Sequence, residues 1–207
     1  MSEAYSADSE KDPGKAFQPD QLVEQAQAGD HLAFHRLADH YQPDIFRMIY
    51  YRTRSRMDAE DLTQDVFLRA YKHIGRLEAP GLFRSWLYRI AVNRVRDYYR
   101  RQKIKSLVGW VSVDEETFQE SEEMAVAPEA TERLDRKDFW MRVEKMMDCL
   151  SVKEREAFML RFLDQLSIKE MTTAMKKSES TVKTHLYRAL NKIKAAVSDM
   201  DGLWEEI

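Results

Sequence analysis

Between Leu150 and Val197 the chain admits one local architecture: two helices, a tight turn and a third helix. Ser167 followed by Glu170 is a capping box, because the serine accepts from a backbone N–H three residues on and the glutamate reaches back. Ser178 can cap the next helix in the same way, with Glu179 placed favourably in its first turn. Beyond it Val182, Leu186, Ala189, Leu190, Ile193 and Val197 form one apolar stripe of an α-helix. The other face carries Ser180, Thr181, Thr184, Arg188 and Asn191, flanked by Lys183 and Lys192. Hydroxyls, an amide and cations on a protruding helix suit the major groove of DNA, where base edges and phosphates are the partners. A basic polar face is also what any solvated helix presents; the short cap-to-cap turn favours the groove.

A net charge of −3 looks wrong for a nucleic-acid binder until it is divided by segment. Arg84 to Lys105 holds eight bases and one acid, and Leu150 to Ala195 ten bases and five acids. Asp114 to Asp135 holds nine acids and one base. Phosphate binding responds to local charge density, so two basic modules separated by an acidic strip remain compatible with DNA. The strip, roughly Leu107 to Glu132, has Gly109, Pro128 and clustered Ser, Thr and Glu that break any apolar period. Too long for a routine loop, it is expected to be a flexible linker, or one that docks through Trp110, Val111, Val113 and Phe118.

Upstream of the strip the chain reads as helices. Leu22 to Ala28 is a short amphipathic segment ended by Gly29; Leu32 to Tyr41 follows, and Pro43 is expected to open another helix at its first turn. From Asp58 to Ile74, Leu62, Val66, Ala70 and Ile74 should face a core with Phe67 and Tyr71. Asp61, Asp65, Leu68 and Lys72 lie along the other side with Gln64 at its edge, and a leucine among acids and an amide fits a protein-contact face.

In the next helix, Leu82 to about Lys103, the residues Arg89, Arg96, Arg100 and Lys103 fall within about 60° of one another, with Asn93 beside them. Leu87, Ala91 and Tyr98, widened by Ile90 and Val95, are the expected core face; Trp86, Tyr88 and Tyr99 flank the basic stripe. Cations interleaved with aromatics are what single-stranded DNA needs.

Other chemistry is thinly represented. His31 and His35 sit one helical turn apart, with Asp39 and His40 following. An i, i+4 histidine pair can ligate zinc, but no glutamate stands in the metalloprotease pattern and there is no thiol cluster. No phosphate-cradling glycine loop or nucleophile motif occurs, so no enzyme activity, catalytic residue, metal or cofactor is expected. The polar segment Met1 to Asp20 lacks the apolar core of a signal peptide, and no window approaches a membrane span. The single Cys149 reads as a free buried thiol, which suits the cytoplasm.

Two strings carry a resemblance to a known family. Asp61-Leu-Thr-Gln-Asp-Val-Phe-Leu-Arg-Ala-Tyr71 and Phe83-Arg-Ser-Trp-Leu-Tyr-Arg-Ile-Ala-Val-Asn-Arg-Val-Arg-Asp-Tyr-Tyr-Arg-Arg101 resemble domain 2 of the extracytoplasmic-function (ECF) sigma factors of the sigma-70 family. Leu150 to Ala189 is similar to their domain 4, and the likeness spans about Gln21 to Val197. It implies an all-α chain of two helical domains joined by an acidic flexible linker, the C-terminal one a helix-turn-helix. The expected divisions are a disordered tail (1–20), domain 2 (21–106), the linker (107–132), domain 4 (133–200) and a short tail (201–207).

The function implied is that of a bacterial alternative sigma factor that binds RNA polymerase core and starts transcription of a specific, stress-response regulon. Asp61, Gln64, Asp65, Leu68 and Lys72 would contact the β′ clamp helices. Arg76, Phe83, Asn93, Arg96, Tyr99 and Arg100 would read and open the −10 element, and Ser180, Thr181, Lys183, Thr184 and Arg188 the −35 element. The expected partners are polymerase core (β′ clamp helices and β flap), promoter DNA and an anti-sigma factor. The alternative is a helix-turn-helix regulator acting without stable core binding, which predicts DNA binding in the absence of polymerase. The chain departs from the family in the domain 4 turn: Lys176 and Lys177 stand where a glycine and an apolar residue are usual.

Overall fold

The computed structural model describes residues 17–107 and 146–202, with side chains over 17–103 and 146–196. Apart from Leu107, the acidic strip lies outside the described residues, as do residues 1–16 and 203–207. Among those described, every regular element is helical. Helix α1 (Pro19–Gln27) buries Val23 and Ala26 and ends at Gly29, whose φ of +99° is left-handed backbone that glycine adopts without strain. The Gln27 side-chain amide donates to the carbonyls of Ile74 (3.0 Å) and Leu77 (2.8 Å), tying α1 to the turn that follows α3.

Helix α2 (His31–Thr53) corrects the expectation of two helices split at Pro43. Asp30 caps it through the N–H groups of Leu32 and Ala33 (2.8 and 3.2 Å), and it runs unbroken through the proline. A proline inside a helix costs about 3 kcal/mol. Leu37, Ile45, Met48 and Ile49 are fully buried, and each large apolar side chain so buried contributes about 1.5–3 kcal/mol, which outweighs the defect. Pro43 itself is exposed, so the broken backbone ladder lies on the wet side.

Ser55 caps α3 (Arg56–His73) through the Asp58 N–H at 3.2 Å. Two 3₁₀ turns, Ile74–Arg76 and Pro80–Leu82, then lead into α4 (Phe83–Leu107). The core of this N-terminal unit is Val23, Leu37, Ile45, Val66, Phe83, Leu87 and Ala91 with their neighbours. Tyr71, expected inside, is 43% exposed; its ring edge packs on Phe34 and its hydroxyl meets His31 Nδ1 at 2.5 Å.

The C-terminal unit comprises α5 (Val152–Phe162), α6 (Ile168–Met175) and α7 (Glu179–Gly202). The expected Ser167–Glu170 capping box is present, and Ser151–Glu154 forms a second at the start of α5. Val182, Leu186 and Ala189 of α7 are buried and Ile193 is half-buried, whereas Leu190 is 44% exposed; the Val197 side chain is outside the described ones. Cys149 is not a buried thiol: it is exposed in the turn before α5, where Met147 and Leu150 take the inward positions.

Glu154 anchors this unit. Its side chain is 6% exposed and accepts from Lys192 Nζ (2.8 Å) and the Ser151 N–H (2.9 Å). Those donors, Lys192 first, hold its carboxyl down to about 2, against 4.5 when unperturbed. The folded pKa is depressed, so the stabilisation is full above pH 4.5 and is lost as pH falls towards 2. Lys192 is 45% exposed, and with solvent screening the contribution is about 2 kcal/mol. Glu154→Gln is expected to lower neutral-pH stability and flatten the acid limb; urea unfolding from pH 7 to 2 measures both, and parallel curves would refute it.

The two units pack against each other, with α6 lying on α4, and one continuous apolar core runs through both. Tyr51 of α2 also packs into the smaller cluster around Met147, Leu150, Met159 and Ala189.

Candidate nucleic-acid and protein interfaces

Along α3, Asp61, Gln64, Leu68 and Lys72 are exposed on one face, with Leu68 51% accessible. The spacing of three and four residues produces this, since Thr63, Val66 and Ala70 take the opposite, buried side. Asp65 differs from the other four. It is half-buried, 3.1 Å from Arg69 Nε and 2.6 Å from Arg94 Nε. The Arg94 Nε–H is not aligned with that oxygen, so the contact is ionic rather than a directed hydrogen bond. Arg94 is 9% exposed and also donates to Asp97 at 3.1 Å. Asp65 therefore holds α3 to α4 as well as facing outward.

On α4 one residue of the basic stripe, Arg89, lines a groove of about 600 Å³ together with Arg76, Trp86 and Asn93, whereas Arg96, Arg100 and Lys103 are not part of its lining. The groove joins guanidinium donors, an indole and a carboxamide, which fits a strand with unstacked bases. One wall comes from the C-terminal unit, through Thr173 of α6. Arg76 and Arg100 are exposed, Arg100 lying 3.1 Å from Asp97. Tyr99 is 50% exposed, and its hydroxyl donates to the Arg52 carbonyl. Arg96 is paired with Glu156 of α5 at 2.7 Å.

Two sequence expectations on this helix are corrected. Phe83 is 1% exposed and packs against Tyr41 and Trp86 (centroids 5.4 and 6.0 Å), so it is a core residue rather than a platform for a base. Tyr88, expected beside the basic stripe, is also 1% exposed, and burial pushes its phenol well above the ordinary range. The wider buried arc follows from packing on both sides: α2 and α3 take one side of α4 and α6 another. Arg69 and Arg84, absent from the expected DNA face, are placed by tertiary packing. Arg69 lines the groove, and Arg84 sits 5.3 Å over the Tyr88 ring with Nη1 2.7 Å from Glu170.

In the C-terminal unit Ser180, Lys183, Thr184 and Arg188 are exposed on α7, with Thr181 half-buried. Ser178 caps the helix by accepting from the Thr181 N–H at 3.3 Å, as its sequence position predicts. Thr184 Oγ1 donates to the Ser180 carbonyl at 2.8 Å, which leaves its lone pairs to accept from a base amino group. Lys183 pairs with Glu179 at 2.6 Å, both more than half exposed, a contact that phosphate can displace.

The turn before α7 places Lys176 at φ 53°, ψ 50°, the left-handed geometry for which a glycine is usual. The strain is about 1 kcal/mol. Lys176→Gly is expected to recover part of it, a few tenths to 1 kcal/mol, because glycine also gains entropy in the unfolded chain. A lowered midpoint of thermal unfolding would contradict the assignment. Lys177 is exposed and locks nothing between the helices.

The histidines of the His31–His40 segment have other partners: His31 meets Tyr71, His35 pairs with Asp39 at 2.9 Å, and His40 stacks on Phe17. Among the described residues no helix is long and apolar enough to cross a membrane, and no group of three ligating side chains assembles for a metal.

Comparison with known proteins places this geometry. Residues 37–104 match the family described as Sigma-70 region 2, and residues 140–193 that described as Sigma-70, region 4. The ECF RNA polymerase sigma factor BldN of Streptomyces coelicolor is 35% identical over 86% of this chain, which spans 66% of that relative's length. The RNA polymerase sigma-H factor of Pseudomonas aeruginosa is 29% identical over 88% of this chain and 95% of its own. The solved structure of CnrH in complex with the cytosolic domain of CnrY shares the fold, with a TM-score of 0.63 at 23% identity, covering 87% of this chain and 97% of that one. Two regions of one family, matched in order over more than half of the chain and set on an exposed acidic-apolar helix face, a basic groove and a helix-turn-helix, make the chain a member of the extracytoplasmic-function sigma factors of the sigma-70 family.

Proposed function

We propose that this chain binds RNA polymerase core, recognises −10 and −35 promoter elements and starts transcription of a specific, stress-response regulon in the cytoplasm, without chemistry of its own. The observation that carries the reading is the exposed face of α3, where Leu68 stands among Asp61, Gln64 and Lys72 on the same unit as the basic groove. An exposed leucine ringed by polar groups has the apolar centre and polar rim of a protein contact. That face is proposed to dock on the β′ clamp helices, and the C-terminal unit on the β flap.

Arg76, Asn93, Arg96, Tyr99 and Arg100, joined by Trp86 and Arg89, are proposed to take the −10 strand. The arginines serve phosphate and the aromatics serve base faces. Ser180, Thr181, Lys183, Thr184 and Arg188 are proposed to read the −35 element in the major groove. Two exposed lysines at the turn suit adjacent phosphates. Lys177→Val is then expected to lower the salt dependence of DNA binding by about one unit of slope; an unchanged slope in anisotropy titrations would remove Lys177 from the interface. An anti-sigma factor is proposed as a further partner, in line with the structure of the sigma factor RpoE in complex with the anti-sigma factor NepR from Bartonella quintana.

Run-off transcription with purified polymerase core on genomic fragments is the decisive test. Initiation above core alone is expected. Specific DNA binding without core, and no initiation with it, would favour a helix-turn-helix regulator instead.

A further inference from the structure

Helix α1 stands ahead of the residues matched as Sigma-70 region 2, yet it packs on both 3₁₀ turns of the segment that joins α3 to α4. The Gln27 side chain is half-buried, and its single nitrogen makes two tethers: Nε2 donates to the Ile74 carbonyl at 3.0 Å and to the Leu77 carbonyl at 2.8 Å. Both partners are acceptors, so the NH₂ side of the carboxamide must face them. Carbonyls at the end of a helix lack intrahelical donors, and a side chain with two N–H groups supplies them. The Ile74 carbonyl also takes the Leu77 N–H at 3.0 Å, which closes the first turn. At the second turn Gly81 lies against α1, since a methyl group there would stand 3.6 Å from Asp20 Oδ2.

Arg76 sits between the two tethered residues. Ile74 and Leu77 are 5% and 7% exposed, whereas Arg76 is exposed, lines the groove and has no acid partner among the described residues. The same segment brings Leu77, Glu78 and Leu82 to the groove wall. A guanidinium meets phosphate through a fork of fixed geometry, so the placement of its backbone sets whether both N–H bonds form. We infer that Gln27 is a positioning residue for the strand-reading groove: it touches no DNA, and by pinning Ile74 and Leu77 it sets where Arg76 meets a phosphate. Helix α1 thereby serves DNA reading as well as the core. The inference rests on the promoter-binding reading proposed above.

The experiment uses the full chain. Gln27→Met keeps the length and the neutrality of the side chain and removes both donors. Amide hydrogen exchange reads the pin without DNA: exchange from Ile74 to Leu82 is expected to speed about fivefold or more, with α5 to α7 unchanged. Gln27→Lys, which carries donors on a stem of similar length, is expected to restore slow exchange. Anisotropy with a labelled single-stranded oligodeoxynucleotide at about 0.1 M salt reads the function. Gln27→Met is expected to bind about fivefold more weakly, the size of one lost hydrogen bond. A purely structural defect lowers binding in every background alike. A positioning role acts through Arg76, so adding Gln27→Met to Arg76→Ala is expected to cost nothing more.

Unchanged exchange from Ile74 to Leu82 in Gln27→Met would overturn the inference, as would exchange in Gln27→Lys as fast as in Gln27→Met. So would equal losses of binding in the presence and absence of Arg76. If Arg76→Ala weakens binding while Gln27→Met does not, the positioning role fails and strand reading stands. If Arg76→Ala itself binds as the wild type does, strand reading by Arg76 fails and the positioning role falls with it.

Discussion

Asp61→Arg combined with Leu68→Asp is expected to weaken capture of RNA polymerase core by about a hundredfold or more, which corresponds to about 2.7 kcal/mol or more, within the range of a contact hot spot. The reversal at 61 sets like charges against any surface complementary to the present face, and the aspartate at 68 forces a charge into an apolar contact. Both positions are exposed on α3, so the fold should keep its stability to within about 0.5 kcal/mol. Asp65 is left out deliberately. It holds Arg94, which is 9% exposed, and reversing it would leave a buried guanidinium facing another cation. Binding of the purified double variant to core, read beside its melting curve, checks the claim. Wild-type affinity with an intact melt would move the polymerase contact elsewhere.

The second large effect concerns the buried pair. Burial pushes the Asp164 carboxyl above the ordinary carboxylate range, and Arg52 opposes that without overcoming it. On balance the ionised pair is less well solvated in the seam than in water, so its strength lies in geometry rather than in net energy. Asp164→Ala is therefore expected to be costly, about 3–5 kcal/mol at the seam, because Arg52 would be left buried and unpaired. Separation of the units relieves that cost by returning Arg52 to water. Unfolding of Asp164→Ala should then resolve into two transitions where the wild type shows one. Arg52→Met with Asp164→Leu should restore a single transition, at equal or higher stability. If the alanine variant melts as one unit with the wild-type midpoint, the pair does not hold the seam.

Much of the local structure was legible in the chain. Ser167, Glu170 and Ser178 announced the ends of α6 and α7, because a cap is satisfied within three residues and needs no distant partner. Periodicity likewise separated Asp61, Gln64 and Leu68 from the buried side of α3. The failures share a cause. The missing N–H of Pro43 suits a helix start, yet the apolar stripe of α2 continues through it and the burial gain exceeds the defect. Phe83 and Tyr88 sit on a helix packed from more than one side, so a single apolar arc was too narrow a description of its core. Residue type alone favours a buried Cys149, but its neighbours Met147 and Leu150 take the interior and leave the thiol exposed.

The sequence by itself determined the helices, most of their ends, the family and the outward face of α3, all of which depend on residues within a few turns of each other. Only the tertiary structure decided which arginines are available. Arg96 reads as part of the basic stripe and Arg84 lies outside it, and nothing within α4 says that Glu156 and Glu170 will reach them. The Arg52–Asp164 pair spans 112 positions, and Thr173 borders a groove built from the other unit. Such partners meet because apolar surfaces of α4 and α6 pack together, and that long-range packing brings distant charges to within 3 Å of each other without leaving a local pattern in the chain.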